Sequence, residues 1–140
     1  MRLENLYGLE NRTTVRVTYR DTDQMGNVYY ANPLVWFEIG RTELVRQIGK
    51  VYREIEASGV FLPAVSVQIN YRAPARYDDL LEIRTRVTKM SHVGIAFEYR
   101  IVRREPPDEA LIAEGSSRHA FVDRNGKIVK NGLEILGIKR

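Results

Sequence analysis

Tyr19-Arg20-Asp21-Thr22-Asp23-Gln24-Met25-Gly26-Asn27-Val28-Tyr29-Tyr30-Ala31-Asn32-Pro33 is the stretch on which the reading of this chain turns. Fifteen residues hold two acids, a glycine, three tyrosines and a helix-start signal. A strand pattern enters it. From Thr13 to Arg20, Val15, Val17 and Tyr19 alternate with Thr14, Arg16, Thr18 and Arg20, the period of a half-buried strand. Gly26 permits a positive φ in the turn that follows. Asn32 then reads as an N-cap, with Pro33 at the first helical position, where the missing amide has no intrahelical acceptor to lose. Leu34, Phe37, Leu44 and Ile48 recur at helical spacing and predict the buried face of a long helix. Gly40 in its middle costs about 1 kcal/mol against alanine. That cost predicts close approach of another backbone, as when a helix lies tightly on a sheet.

Before this stretch, residues 1–12 are polar and aperiodic and read as a loosely held lead-in. After it, a short second helix is predicted from about Val51 to Ser58, with Gly59 placed to cap it. From Pro63 onward the period is two. Val65, Val67, Ile69 and Tyr71 alternate with polar residues, and a bend at Ala73–Asp79 leads to the alternation of Leu81, Ile83, Thr85 and Val87. A turn at Ser91-His92 leads to Val93, Ile95, Phe97, Tyr99 and Ile101. Glu105-Pro106-Pro107-Asp108 breaks that strand, Leu111–Val122 forms the last one, and Asp123-Arg124-Asn125-Gly126-Lys127 is a turn with Asn-Gly at its core. The order is strand, long helix, then four strands joined mostly by short turns. This is an α+β architecture in which one helix is covered by an antiparallel sheet. A single helix protects one face only, so a homo-oligomer is the expectation for the remaining face or edge.

With 140 residues, 44% of them hydrophobic and 29% charged, the chain reads as one domain spanning 1–140 with a buried core of its own. No apolar run approaches the roughly 18 residues of a membrane span, and Met1–Asn5 lacks the apolar segment of a secretory signal. Zero cysteines exclude disulfides, thiolate nucleophiles and cysteine-based metal sites. The expected compartment is the cytoplasm. The net charge of +4 comes from 22 basic residues scattered among 18 acidic ones, whereas a nucleic-acid surface needs clustered cations with exposed aromatics.

Several site chemistries fail on the residues. Asp21–Gly26 begins like an EF-hand loop, but Met25 holds the third ligand position and Asn32 the twelfth, where a bidentate glutamate belongs. His92 and His119 have no partner histidine at metal-ligand spacing, so no metal site is expected. Gly115-Ser116-Ser117-Arg118-His119 lacks the G-x-S-x-G elbow of serine hydrolases, and His119 reads as a packed or hydrogen-bonded strand residue. What remains is a carboxylate, Asp21 or Asp23, beside a helix N-terminus. Free amides and the positive dipole end can hold a developing oxyanion, and a carboxylate can attack or activate water. A site this sparse suits a thioester. Its leaving thiol has a pKa of about 8.5 and departs as thiolate without a general acid.

Tyr19-x-Asp21-Thr22-Asp23-x-x-Gly26-x-Val28-Tyr29-Tyr30-Ala31-Asn32, followed by Trp36-Phe37-Glu38-x-Gly40-Arg41-Thr42-Glu43, resembles the hotdog-fold acyl-CoA thioesterases. The branch is that of the 4-hydroxybenzoyl-CoA thioesterase and the bacterial Tol–Pal-associated thioesterase. Val67-x-Ile69-x-Tyr71-Arg72-Ala73-Pro74-Ala75-Arg76-Tyr77-Asp78-Asp79 and Glu114-Gly115 leading to Phe121-Val122-Asp123-x-x-Gly126-Lys127 resemble it too. The match runs in order over about 13–130, which this reading takes as the domain core.

The resemblance implies a hotdog fold, a long central helix wrapped by a five-stranded antiparallel sheet, and hydrolysis of acyl-CoA to free acid and CoA. It implies that Asp23 is the catalytic carboxylate, that Asp21 stabilises the turn, and that the Tyr30 backbone amide polarises the thioester carbonyl. Gly26, Val28 and Tyr29 fall to substrate contact. Arg72, Arg76, Lys89, His92 and Arg118 are the candidate partners of the CoA phosphates. It further implies edge-to-edge dimers, assembled into tetramers in many relatives, with sites at subunit interfaces. No cofactor is implied, CoA being part of the substrate. Tyr30 stands where the Tol–Pal branch carries histidine, so the inherited role is the backbone's. Pro33 replaces a tyrosine on the acyl side, so acyl preference does not carry over. An acyl-carrier-protein thioesterase and a non-hydrolytic acyl-CoA-binding protein are the alternatives; a pure binder has no need of Asp23.

Overall fold

In the computed structural model, which describes residues 1–105 and 107–140, five strands form one antiparallel sheet. The elements are α1 (Leu3–Tyr7), β1 (Glu10–Arg16), α2 (Asn32–Gln47), α3 (Tyr52–Ala57), β2 (Ala64–Tyr71), β3 (Leu80–Met90), β4 (Gly94–Glu105), β5 (Asp108–Ala120) and α4 (Gly132–Ile135). The strand order is β1-β3-β4-β5-β2. Consecutive hairpins join β3, β4 and β5, while the chain between β1 and β2 crosses from one sheet edge to the other and carries the long helix over one face. Of the predicted break between β4 and β5, Pro106 lies outside the described residues.

The period-two pattern explains that face. Leu81, Ile83, Thr85 and Val87 of β3 and Ile95, Phe97, Tyr99 and Ile101 of β4 are buried against α2, and Ala113, Ser117 and His119 of β5 continue the layer. Glu98, Arg100, Glu114, Ser116 and Arg118 point the other way. Phe37 stacks on Tyr99, rings 4.2 Å apart and 6° from parallel, and contacts of this kind are worth roughly 0.5–1.5 kcal/mol beyond burial. Gly40 is the seat of the helix: a Cβ there would stand 2.2 Å from Thr85 Oγ1 and 2.9 Å from Ile83 Cγ2. The close approach is made by two β3 side chains, not by the backbone that the sequence reading expects.

Several expectations are corrected. The lead-in contains α1 and the start of β1, and Leu6 is fully buried. Leu133, Leu136 and Ile138 at the other end are buried as well, and the Leu3 amide donates to the Lys139 carbonyl at 2.7 Å. Apolar packing therefore reaches beyond the 13–130 that carry the motifs. Strand β1 stops at Arg16, and Tyr19 sits in a 3-10 turn, exposed and stacked on Tyr77 at 3.9 Å. The helix buries Pro33, Trp36, Phe37, Gly40, Leu44 and Val45, while Leu34 faces outward. Ala31 occupies the N-cap position, and Asn32 begins the helix with its side chain turned back to the Asp21 carbonyl.

The largest departure is β2. Its alternation is that of a strand with one buried face, yet Val65 is 60% exposed, Val67 46% and Tyr71 51%. β2 lies at the sheet edge, and among the described residues only Ile69 of its apolar face packs against the core, leaving Val65, Val67 and Tyr71 largely uncovered.

Candidate active site

The site is built where β1 gives way to α2. Thr18 and Asp21 turn the chain: Asp21 Oδ2 accepts from the Thr18 amide at 2.8 Å and from the Thr18 hydroxyl at 2.9 Å. The Asp21 carbonyl accepts from the Tyr29 amide and from Asn32 Nδ2, both at 2.7 Å. With one carboxylate oxygen and its carbonyl committed, Asp21 ties the strand end to the helix start.

Asp23 opens a tight turn. Its Oδ1 accepts from the Met25 amide at 2.8 Å and the Asn27 amide at 3.2 Å, and its own amide donates to the Asn27 carbonyl at 2.8 Å. Gly26, at φ +80°, supplies the left-handed residue the turn requires. Oδ2 is free of hydrogen bonds among the described residues. Side-chain-to-backbone bonds of this kind hold the carboxylate in one rotamer, so the free oxygen has a fixed direction. The turn docks through the Val28 amide on the Ala75 carbonyl at 2.8 Å, and Asn27 pairs with Arg76.

Asp23, Val28, Tyr30 and Arg72 line one cleft of about 440 Å³. Pro33, Ala73, Pro74, Ala75 and Ile112 form its apolar wall. Tyr30 is at the helix N-terminus, and among the described residues its amide and that of Ala31 meet no acceptor. The Tyr29 and Tyr30 rings lie 4.6 Å apart, and the Tyr30 hydroxyl beside it raises Tyr29 above the ordinary phenol value. Arg72 is in the cleft but spends Nε and one terminal nitrogen on Glu114 Oε1, at 3.1 and 2.7 Å.

The other predicted contacts scatter. Arg76 and Gly26 flank the cleft on the turn and its docking strip. Lys89 and Arg118 line a second, smaller cleft of about 180 Å³ that also includes Val65, Ile95 and His119. Arg118 there donates to Ser66 Oγ at 2.9 Å. His92 is exposed on the β3–β4 turn and lines neither cleft, although its carbonyl anchors the Gly132 amide at 2.9 Å. His119 is buried in a chain: Tyr99 Oη to Ser117 Oγ at 2.5 Å, Ser117 Oγ to His119 Nε2 at 2.8 Å, and Nδ1 to the Leu62 carbonyl at 3.1 Å. Donation from Nδ1 leaves Nε2 as acceptor of the serine hydroxyl. Burial, aided by the Arg41 charge, pushes this imidazole down to about 4.

Two cleft residues escaped the sequence reading. Asn27 lines the cleft, and its Oδ1 is buried with no partner among the described residues. Tyr71, on the edge strand, reaches over to hydrogen-bond the Tyr30 carbonyl. Both stand inside quoted motifs, but only the third dimension shows where their polar ends go.

The family model of the thioesterase-like superfamily matches residues 17–132. The acyl-CoA thioester hydrolase YbgC of Escherichia coli O6:H1 is 39% identical over 94 residues, 67% of this chain and 70% of that protein. The acyl-CoA thioesterase YbgC of Haemophilus influenzae is 37% identical over 110 residues, 78% of each. Among solved structures, a mutant 4-hydroxybenzoyl CoA thioesterase complexed with 4-hydroxybenzoyl CoA superposes with a TM-score of 0.81, covering 91% of this chain and 96% of that one. At 19% identity this last likeness is one of fold, and the fold is the hotdog.

Proposed function

This chain belongs to the thioesterase-like superfamily, and from that premise we propose that it hydrolyses acyl-CoA thioesters to free acid and CoA. The observation that carries the proposal is one cleft holding both Asp23, with a free and directed Oδ2, and the Tyr30 position at the start of α2. The thioester carbonyl accepts from the Tyr30 amide, whose partial positive charge is reinforced by the helix dipole. Asp23 then attacks the carbonyl carbon directly or takes a proton from the water that attacks it, and the C–S bond breaks with CoA leaving as thiolate. In the direct route, water cleaves the resulting anhydride. In the water route, the proton passes to Asp23 Oδ2.

The exposed apolar face of β2 supports assembly as a homo-oligomer. Antiparallel pairing of two β2 edges brings the Val65 end of one copy towards the Tyr71 end of the other. Since Val65 lines the Lys89–Arg118 cleft and Tyr71 the Asp23 cleft, such pairing draws each Asp23 cleft towards the cationic cleft of the second copy. Cationic side chains there suit the CoA phosphates. Among the described residues no helix is long and apolar enough to cross a membrane, and a cytoplasmic location fits a CoA-dependent reaction.

The test is release of free thiol from short-chain, long-chain and aromatic acyl-CoA thioesters, run beside the same acyl groups on acyl carrier protein. Turnover of at least one CoA thioester supports the reading. Turnover of carrier thioesters alone replaces the substrate, and acyl-CoA binding without turnover replaces the reaction.

A further inference from the structure

The peptide groups just before α2 are pinned at their carbonyls, one by the first residue of the helix and one by the edge strand. The Tyr29 carbonyl accepts from the Asn32 amide at 3.0 Å, which fixes the plane that carries the Tyr30 N–H. The Tyr30 carbonyl accepts from the Tyr71 hydroxyl, and this fixes the next plane, which carries the Ala31 N–H. A peptide unit is rigid and planar, so a bond that holds its carbonyl also aims its amide. Hydrogen bonding at the carbonyl polarises the unit as well and makes the amide a better donor.

Tyr71 is well placed for this. It is the last residue of β2, and the next two amides, of Arg72 and Ala73, both donate to the Ile112 carbonyl at 2.8 and 3.2 Å. Its backbone is therefore held by β5 while its hydroxyl crosses the cleft to the helix start, and it lines the same cleft as Asp23 and Tyr30. Its ring is half exposed, so the core loses little packing if only the hydroxyl is removed.

We propose that Tyr71 is a positioning residue for hydrolysis: by holding the Tyr30 carbonyl it fixes the Ala31 amide, the second of two consecutive amides, after that of Tyr30, that face the developing oxyanion. This rests on the thioesterase reading above. The hydroxyl also ties the edge strand to the oxyanion turn.

The experiment is Tyr71→Phe, assayed with the acyl-CoA that the wild type turns over fastest, with Asp23→Asn assayed in parallel. The expected result is a kcat about tenfold lower, in line with loosened alignment of an oxyanion donor, with KM within about twofold. Melting temperature, native mass and the pH profile of kcat/KM should match the wild type, because Asp23 is untouched. A kcat equal to the wild type overturns the proposal. So does a loss that appears only in KM or that tracks unfolding or dissociation, since either makes Tyr71 a merely structural residue. If Asp23→Asn retains full turnover, the thioesterase mechanism itself fails; if it collapses while Tyr71→Phe is normal, only the role of Tyr71 fails.

Discussion

Asp23 and Asp123 stand in turns with the same hydrogen bonds. In each, the carboxylate Oδ1 accepts two amides, from Met25 and Asn27 in the first and from Asn125 and Lys127 in the second, at 2.8–3.2 Å. In each, the Asp amide donates to the carbonyl four residues on at 2.8 Å, and a glycine three residues on has a φ near +80° (Gly26 +80°, Gly126 +79°). Even the flanking pairs correspond, Thr22 with Val28 and Val122 with Ile128. Their surroundings differ. The first turn leads into α2 and shares a cleft with Tyr30 and Arg72, whereas the second follows β5 and sits beside Phe61, Leu62 and Pro63. An Asp-x-x-Gly turn is thus ordinary turn chemistry, and a helix follows each (α2 from Asn32, the short α4 from Gly132); what turns the first into a candidate site is the cleft that Asp23 shares with Tyr30 at the start of the long helix.

The largest difference in solution should be in how the two regions titrate. His119 donates to Leu62, next to the Phe61 that pairs with Val122, so it belongs to the neighbourhood of the second turn. The folded protein keeps it neutral down to about pH 4, against an ordinary value of 6.5. Between these limits the unfolded chain binds more protons, so stability is full above pH 6.5, falls as the pH drops and levels off below 4. The loss is on the order of 2–3 kcal/mol, read by urea denaturation across that range, and His119→Gln should flatten most of the slope. A slope unchanged in the variant would assign the acid sensitivity elsewhere.

Gly26→Ala and Gly126→Ala sharpen the comparison. Both sites are sterically open but left-handed, so each substitution should cost about 1 kcal/mol, with equal shifts in denaturation midpoint. Only Gly26→Ala should also lower kcat. Unequal stability losses would break the equivalence of the turns. Asp21→Asn weakens acceptance from Thr18 and should cost about 1 kcal/mol or less, with kcat within about threefold of wild type. A catalytic loss as deep as that of an Asp23 variant would make Asp21 part of the chemistry.

The sequence displays its strands where both faces of a strand meet definite surroundings. Strands β3 and β4 alternate because one face meets α2 and the other solvent, and their inward residues are buried as read. Strand β2 alternates just as cleanly, yet Val65 and Val67 are exposed, because a pattern records which face is apolar and not what covers it. Helix α1 went unread because its five residues bury one side chain fully, Leu6, too few to show a period. Leu34 fitted helical spacing but lies on the flank of the stripe. In the site, the contiguous stretch brought Asp23, Val28 and Tyr30 together legibly. Lys89, His92 and Arg118 could not be sorted in the same way. Their proximity depends on strand order and register, which place Lys89 and Arg118 on either side of Ala96 and leave His92 apart.

The most direct measurement is acyl-CoA hydrolysis by Asp23→Asn and Asp123→Asn, side by side, with both variants shown to be folded. Asp23 as the reacting carboxylate predicts a kcat at least about 10²-fold lower for Asp23→Asn and turnover within about twofold of wild type for Asp123→Asn. Equal turnover in the two variants would reduce Asp23 to a second copy of the same turn and contradict the account.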